Sequence, residues 1–271
     1  MKFLIPFLFL QLTINDSFAD GFDQHFATVF IDQETEKQYG PVPLDRSLLA
    51  IAINTLADAG AKGVILKFFI DLAKDEPGDK ALVKAISRIP VLLQARIDDS
   101  EPSPNPLPTR FIETQLITTS INAKSGWIPH PKFSSLAYDI GFVDYEGLAV
   151  SFFETYQGQT VKSLLLAAIE LALGEKAVIE PTKQLRVGAI KFNLDNLNRV
   201  KVRLKSEPDF NYIPFHHVMQ QSDWSNRVKN KVVILGYVGP KIPRIQTELG
   251  SISAHELFVR ILKILFDHRQ D

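Results

Sequence analysis

The sequence predicts an α/β fold: a mixed, mostly parallel open sheet flanked by helices, with an irregular β excursion in the middle. Three observations predict it. The first third of the 271-residue chain alternates short apolar runs with segments of helical periodicity, which is the pattern of βαβ units. These runs are continuously apolar, as in strands that are buried on both faces. Residues 111–153 show alternating stretches instead, which indicate shorter and less regular strands.

A helix at 44–60 is the clearest element of the first half. Its apolar residues recur at spacings of three and four, Asp45 stands at the N-cap position, and Gly60 supplies a stop. The preceding segment, QETEKQYGPVP, is predicted to be a polar loop because it contains a Gly-Pro breaker. The predicted order in this half is a strand (25–32), that loop, the helix (44–60), a strand (63–70), a helix (about 79–87), a strand (91–96) and a proline-rich loop (98–109).

The second half is predicted to contain two strong helices. The first is almost wholly apolar and is followed by the stop Gly174, and the second has charged residues opposite an apolar face. The predicted order is alternating stretches (115–121 and 147–153) around a turn (144–147), a helix (160–173), a β-hairpin or two irregular strands (185–200), a strand (231–237) and a helix (252–267).

The first nineteen residues have the layout of a secretory signal peptide. Lys2 precedes the apolar run Phe3–Leu12, and Ser17 and Ala19 stand at the minus-three and minus-one positions of a cleavage site. The run is about half of the ~20 residues that a membrane-spanning helix needs. We therefore predict a signal peptide (1–19) and one exported domain (20–271) that is periplasmic or secreted, bacterial, and without a transmembrane segment once mature. An uncleaved N-terminal anchor is the alternative.

Composition excludes several classes of function. The chain has no cysteine, which rules out a thiol nucleophile and a cysteine-ligated zinc site. The adjacent pair His216 and His217 is a poor chelate because neighbouring side chains point in different directions. The formal net charge is −1 and no basic stripe is present, so we expect no nucleic-acid partner. We predict neither a cofactor nor a metal.

The order of several motifs is more specific than any one of them, and together they resemble the type-2 CHASE domain. This domain is the extracellular sensory module of bacterial adenylate cyclases, histidine kinases and related receptors. The resemblance covers about residues 26–266. Its motifs are, in order, FIDQET, GPVPLDR opening a helix that ends in LADAGAKGVIL, GFVDYEG, QTVKSLLLAAIELALG, NYIPFHHVM, KVVILGY and GSISAHELFVRILKIL.

The sequence departs from the family pattern at three places. Lys67 stands where the family usually has an acidic residue at the end of the second strand, which inverts the local charge and removes a possible metal ligand. The segment after the late strand is shortened to PRIQTELGS. The usual His-Ala pair is replaced by His255-Glu256.

Charged residues end three successive predicted strands, namely Asp32, Lys67 and Arg96. The carboxyl ends of parallel strands meet at one edge, where open α/β sheets bind ligands. Arg46 and His255 begin helices, and Arg46 can bind a carboxylate bidentately. We therefore predict that Asp32, Arg46, Lys67 and His255 line one ligand-binding cleft, with no catalytic residue.

Structural roles are open alternatives at each of these positions. Asp32 can form an ion pair with Lys67 or Arg96 at the sheet edge. His255 can hold the last helix to the late strand by hydrogen bonds. Arg46 can form an ion pair with Asp45, Glu34 or Glu36 within the opening loop instead of binding a ligand.

The resemblance implies an exported ligand-sensing or binding module. We expect it to lack its own transmembrane and output domains and to act through a membrane-bound receptor, cyclase or kinase, with a small ligand of unknown identity. We do not expect an enzyme, because no Gly-x-Ser-x-Gly elbow or glycine-rich phosphate loop is present. A periplasmic hydrolase that uses the Asp32 end of the sheet, and a scaffolding domain without a small ligand, are the alternatives.

Overall fold

The central element of the fold is a mixed sheet in which helices cover both faces. The computed structural model describes residues 21–99, 104–144, 147, 149–204, 210–220 and 222–267. Its strands are β1 (Phe26–Ile31), β2 (Gly63–Leu66), β3 (Val91–Ile97), β4 (Asn122–Ala123), β5 (Gly126–Trp127), β6 (Asp139–Phe142), β7 (Ala149–Ser151), β8 (Phe153–Tyr156), β9 (Gln159–Lys162), β10 (Val178–Glu180), β11 (Gln184–Val187), β12 (Ile190–Asn193), β13 (Arg199–Lys201), β14 (Ile213–Pro214), β15 (Val232–Tyr237), β16 (Arg244–Thr247) and β17 (Gly250–Ser253).

The helices pack mainly on the central sheet. They are α1 (Phe22–His25), α2 (Gln33–Tyr39), α3 (Arg46–Asp58), α4 (Glu76–Ile86), α5 (Pro131–Ser134), α6 (Leu164–Leu173), α7 (Phe215–Met219), α8 (Ser225–Val228) and α9 (Ala254–Asp267), with a 3-10 turn at Thr109–Phe111. Among the described residues, no helix is both long enough and apolar enough to cross a membrane.

The sheet runs in the order β14-β1-β15-β2-β3, and β6 and β5 both pair with β3. All of these pairings are parallel except that of β5. The late strand β15 lies between β1 and β2, with Val232 opposite both Phe26 and Gly63. The predicted fold class is therefore confirmed. The expected β excursion consists of small two- and three-stranded sheets formed by β4 and by strands β7 to β13.

Two hydrophobic cores lie on opposite faces of the sheet, because side chains alternate along each strand. Phe30 and Ile65 belong to one core, with α6 and α9, whereas Val29 and Leu66 belong to the other, with α3, α4 and α7. This division decides which of the predicted site residues can meet, since a buried strand residue reaches only one of the two faces.

Helix ends follow the sequence signals where the signals are local. The side chain of Asp45 accepts a hydrogen bond from the Ser47 N–H at the start of α3, as predicted. Gly174 ends α6 in the left-handed conformation, with φ 74°. Ser163 caps the start of the same helix by accepting a hydrogen bond from the Leu166 N–H.

Several sequence-based element predictions were wrong, including the alternating stretch at 115–121, which forms no strand. The predicted polar loop after β1 begins with helix α2, which Asp32 caps. The predicted helix at 160–173 begins only after Ser163, because Gln159–Lys162 pairs with β8 as strand β9. The last helix begins at Ala254, because Gly250–Ser253 pairs with β16. In the last two cases strand pairing overrides the local helical pattern.

Some predictions fall outside the described residues. They concern the signal peptide at 1–19, part of the proline-rich loop at 100–103, and positions 145 and 146 of the predicted turn.

Candidate functional site

Asp32 lies at the carboxyl end of β1, where its carboxylate joins three elements. One carboxylate oxygen accepts hydrogen bonds from the N–H and the hydroxyl of Thr35, both at 2.8 Å. The Thr35 hydroxyl lies 3.0 Å from Nδ1 of His216 on α7, and the Tyr212 hydroxyl donates to the second Asp32 oxygen at 3.4 Å. Asp32 therefore holds the start of α2 next to α7 and next to Tyr212, the residue that precedes β14.

Arg46 lies in the opposite core layer from Lys67 and His255. Its guanidinium pairs with Asp79 on α4, donates to the carbonyl of Leu72, and stacks 4.9 Å from the ring centre of Phe133. Burial acts to raise the pKa of Asp79, but hydrogen bonds from Arg46 and from the Lys74 N–H hold that pKa below its usual value. Among the described residues, the partners of Arg46 thus come from α4 and neighbouring segments of its own layer.

Lys67 lies beneath α9, near enough to His255 of that helix for its charge to act on the imidazole. Lys67 is 3% exposed, and its ammonium lies 4.2 Å from the ring centre of Phe258. Within the described part of the chain, no carboxylate lies within 4 Å of that ammonium and no acceptor takes a hydrogen bond from it. Burial lowers the pKa of Lys67 to about 7, and the charge of Asp144 opposes this shift.

His255 holds α9 to the end of β15. Its Nδ1 accepts a hydrogen bond from the Tyr237 N–H at 3.0 Å, so that nitrogen carries no proton. The ring contacts Phe30 and Phe68, with centres 6.5 and 5.8 Å away. Burial and the charge of Lys67 hold the pKa of His255 well below its usual value. The neutral imidazole is therefore the stable form, in agreement with the structural alternative for this residue.

Asp144, which was predicted only to be part of a turn, is a strand-end carboxylate. It follows β6 and accepts a hydrogen bond from the Ile97 N–H at 2.8 Å. Burial raises its pKa, against a hydrogen bond with the fully buried Glu154 and the charge of Arg96. The strand-end rule that selected Asp32 applies equally to Asp144, because β6 is also a parallel strand. The carboxyl edge thus combines the buried Lys67 with the partly buried carboxylate of Asp144.

The predicted site residues are accordingly divided. Lys67 and His255 share one buried cluster, Asp32 belongs to a capping network, and Arg46 lies across the sheet. A cavity of only about 30 Å³ lies beside Arg46. Ligand binding by these four residues remains a prediction. Within the described ranges, no group of three or more His, Asp or Glu side chains is placed to hold a metal ion.

A larger cavity, of about 420 Å³, lies at the opposite end of the sheet. We call it the basic groove. It is bordered by α1, the first residues of β1, residues 210–211, the end of α8 and one face of α9. Sequence reasoning missed it because its lining residues come from segments that are far apart in the chain. Its lining includes the side chains of Phe22, Asp23, Phe26, Arg227, Lys231, Arg260 and Lys263.

Comparison with known proteins places the chain in a family. The family model described as the CHASE2 domain matches residues 3–254, which is nearly the whole chain. No curated protein and no solved structure matches the chain. Domains of this family are extracellular sensory modules that typically work with signalling partners. The resemblance inferred from the motifs is thereby confirmed, and the chain belongs to the CHASE2 domain family.

Proposed function

We propose that this chain is an exported sensory module that binds a small ligand in its own fold and signals through a membrane-bound receptor, cyclase or kinase. Family membership supports the sensory role. The observation that carries the proposal is the contact between α1 and α9, the first and last described helices, beside a cavity large enough for a small molecule.

The contact between α1 and α9 is specific. The Phe22 N–H donates a hydrogen bond of 2.6 Å to the carboxylate of Asp267. Phe22 stacks on Phe26 of β1, with ring centres 4.9 Å apart, and Phe26 meets Phe266 of α9 edge-on at 5.1 Å. The basic groove borders the same elements, so a ligand bound there contacts α1, β1 and α9 together.

A ligand transmits a signal only by binding one of two conformations more tightly than the other. A ligand that bridges α1 and α9 favours the arrangement in which the two helices are closest. A partner that binds only one arrangement of these helices then binds more or less of the protein according to whether a ligand occupies the groove. In this proposal the partner supplies the membrane span and the output.

The proposal includes export to the bacterial periplasm, or secretion, with cleavage after Ala19. The short apolar run and the small residues Ser17 and Ala19 support it. Intact mass of the exported protein tests it: the mature form should begin at Asp20. A mature fraction that retains Met1 would instead support an N-terminal anchor.

We propose a binding role rather than catalysis. Asp32, the residue on which the hydrolase alternative depends, is engaged by the Thr35 N–H and hydroxyl as a helix cap. A carboxylate used in this way is poorly placed to activate water, because one of its oxygens already accepts two hydrogen bonds from Thr35 at the start of α2.

Reconstitution tests the proposal. Purified protein is added to the outer face of membranes from a strain that lacks it, and cyclic-nucleotide synthesis and kinase autophosphorylation are measured. We expect at least one output to change and to saturate with protein concentration. Asp267→Ala, which removes the acceptor for Phe22, should reduce the effect, whereas the exposed Asp223→Ala should not.

Two outcomes contradict the proposal. Unchanged membrane output with folded wild-type protein would favour a scaffolding role. Turnover of a model ester or phosphate ester by the purified protein alone would favour the hydrolase alternative.

A further inference from the structure

We infer that the basic groove is a binding site for a small organic anion with a flat apolar body, such as an aromatic carboxylate. The inference rests on the proposed sensory function and names the class of ligand. It is carried by the charge, the apolar floor and the part of the β1 edge in the groove that β14 does not pair with.

Cations outnumber acids around the groove. Among the described residues, Arg227, Lys231, Arg260 and Lys263 line it, together with one carboxylate, that of Asp23. Within the described residues, neither Arg227 nor Lys231 forms an ion pair. Positive charge gathered in a concave site raises the local concentration of anions and holds them by charge-assisted hydrogen bonds.

Arg260 differs from Arg227 and Lys231 because Glu256 holds it. Its guanidinium contacts the Glu256 carboxylate at 2.8 Å, one turn earlier on α9. This pair keeps the guanidinium fixed and partly neutralised, so that it serves as a wall of the groove. Arg227 and Lys231, from the end of α8 and the segment after it, are the residues that we expect to bind the anionic group.

The floor of the groove is aromatic. Phe22 and Phe26 are almost fully buried and stack on each other, and Phe210 adds a third ring. An aromatic floor beneath a cationic rim favours ligands with an apolar body and a charged end. An inorganic anion alone leaves the apolar part of the cavity unfilled.

The edge of β1 contributes backbone polarity. Strand β14 pairs only with Val29 and Phe30, so β14 does not cover Phe26, Ala27 and Thr28. These three residues line the groove. Asn211 lies beside Thr28 on this edge, and its carbonyl accepts a hydrogen bond from the Thr28 hydroxyl. Those peptide N–H and C=O groups of the edge that face away from β15 can orient a ligand.

Binding to the purified full chain tests the inference without any membrane. The probes are 3-phenylpropionate, phenyl phosphate, benzylamine and inorganic phosphate, measured by calorimetry at low and high salt. We expect the two aromatic anions to bind at least about tenfold more tightly than benzylamine, with affinity that falls as salt is raised. Preference between carboxylate and phosphate then identifies the headgroup.

Matched variants locate the site. Arg227→Ala and Lys231→Ala should each weaken the binding of aromatic anions about tenfold, since each removes a charge-assisted contact. Lys229→Ala is the control, because Lys229 is exposed in the same loop and does not line the groove. Thermal unfolding midpoints close to wild type show that the variants are folded.

Three results would overturn the inference: equal binding of benzylamine and the aromatic anions, no saturable binding of any aromatic anion, or equal losses in Lys229→Ala and Lys231→Ala. The proposed function fails separately. If membrane output changes but no anion binds, only the assignment of the ligand is wrong. If anions bind but membrane output does not change, only the signalling role is wrong.

Discussion

The ammonium of Lys67 lies 4.2 Å from the ring centre of Phe258, inside the layer between the sheet and α9. A cation in this place loses its hydration and gains a ring face in return. The contact with the ring does not compensate for the lost hydration of the charged form, so burial lowers the pKa of Lys67 to about 7. The same residue marks the departure from the family pattern at the end of the second strand.

Stability should rise with pH because of Lys67. Its pKa is lowered from 10.5 to about 7 in the folded chain, so between these values the unfolded chain binds more protons. The free energy of unfolding therefore increases with pH, by at most about 1.4 kcal/mol per unit. Urea denaturation of wild type and Lys67→Met between pH 7 and 9 measures this, and the variant should show a flatter slope.

The exposed Lys229→Met serves as the control for that experiment and should keep the slope of the wild type. An identical slope in Lys67→Met and wild type would mean that the ammonium keeps an ordinary pKa despite its burial.

Lys162→Met should strongly destabilise the protein. Its ammonium lies 2.9 Å from Asp139 and 3.0 Å from Glu170, and all three side chains are buried. The substitution leaves two carboxylates without their buried cation, which costs roughly 3–5 kcal/mol. Chemical denaturation at neutral pH measures the loss in the free energy of unfolding.

Lys176→Met is the matched control, because Lys176 also lies 3.0 Å from Glu170 but its side chain is 67% exposed. An exposed pair contributes about 0–1 kcal/mol. Similar losses in the two variants would show that burial does not decide the strength of these pairs.

Asp32→Ala should lower the free energy of unfolding by about 1 kcal/mol, since it removes the cap of α2. Asp32→Ser keeps a capping oxygen and should lose much less. Chemical denaturation of both variants provides the comparison, and the membrane assay adds a second measurement. If Asp32→Ser is as stable as wild type but does not change membrane output, the carboxylate has a role in signalling beyond its role as a cap.

Phe258→Ala and Leu262→Ala should each cost roughly 2–5 kcal/mol, because both side chains are fully buried on the inner face of α9. The exposed Ile51→Ala on α3 is the comparison and should cost far less. Denaturation midpoints measure all three. Wild-type midpoints in the two α9 variants would indicate that this helix is peripheral to the core.

Local signals in the sequence predicted the elements that local physics controls. Helix α3 follows from its apolar spacing and from Asp45, and the buried strands β2 and β15 follow from their continuous apolar runs. Helix α2 was missed although a signal existed. Asp32 is followed by acidic residues in the first turn, which is typical of a helix start, but the segment has no apolar periodicity.

Within the site, the sequence identified strand ends but not which side chains would meet. The strand-end rule selected Asp32 and Lys67, and the same rule applies to Asp144. The rule predicts at which edge of the sheet a side chain lies, but not on which of the two faces of the sheet. Arg46 was grouped with Lys67 although the sheet separates the two.

The sequence by itself determined the fold class, the family and the main helices and strands, because periodicity and caps depend on neighbouring residues. Only the tertiary structure decided that Gln159–Lys162 is a strand, that Lys67 meets Phe258, and that α1 and α9 enclose a basic groove. Each of these depends on contacts between segments that are distant in the chain. The free energy of those contacts outweighs local propensity, and no local pattern encodes it.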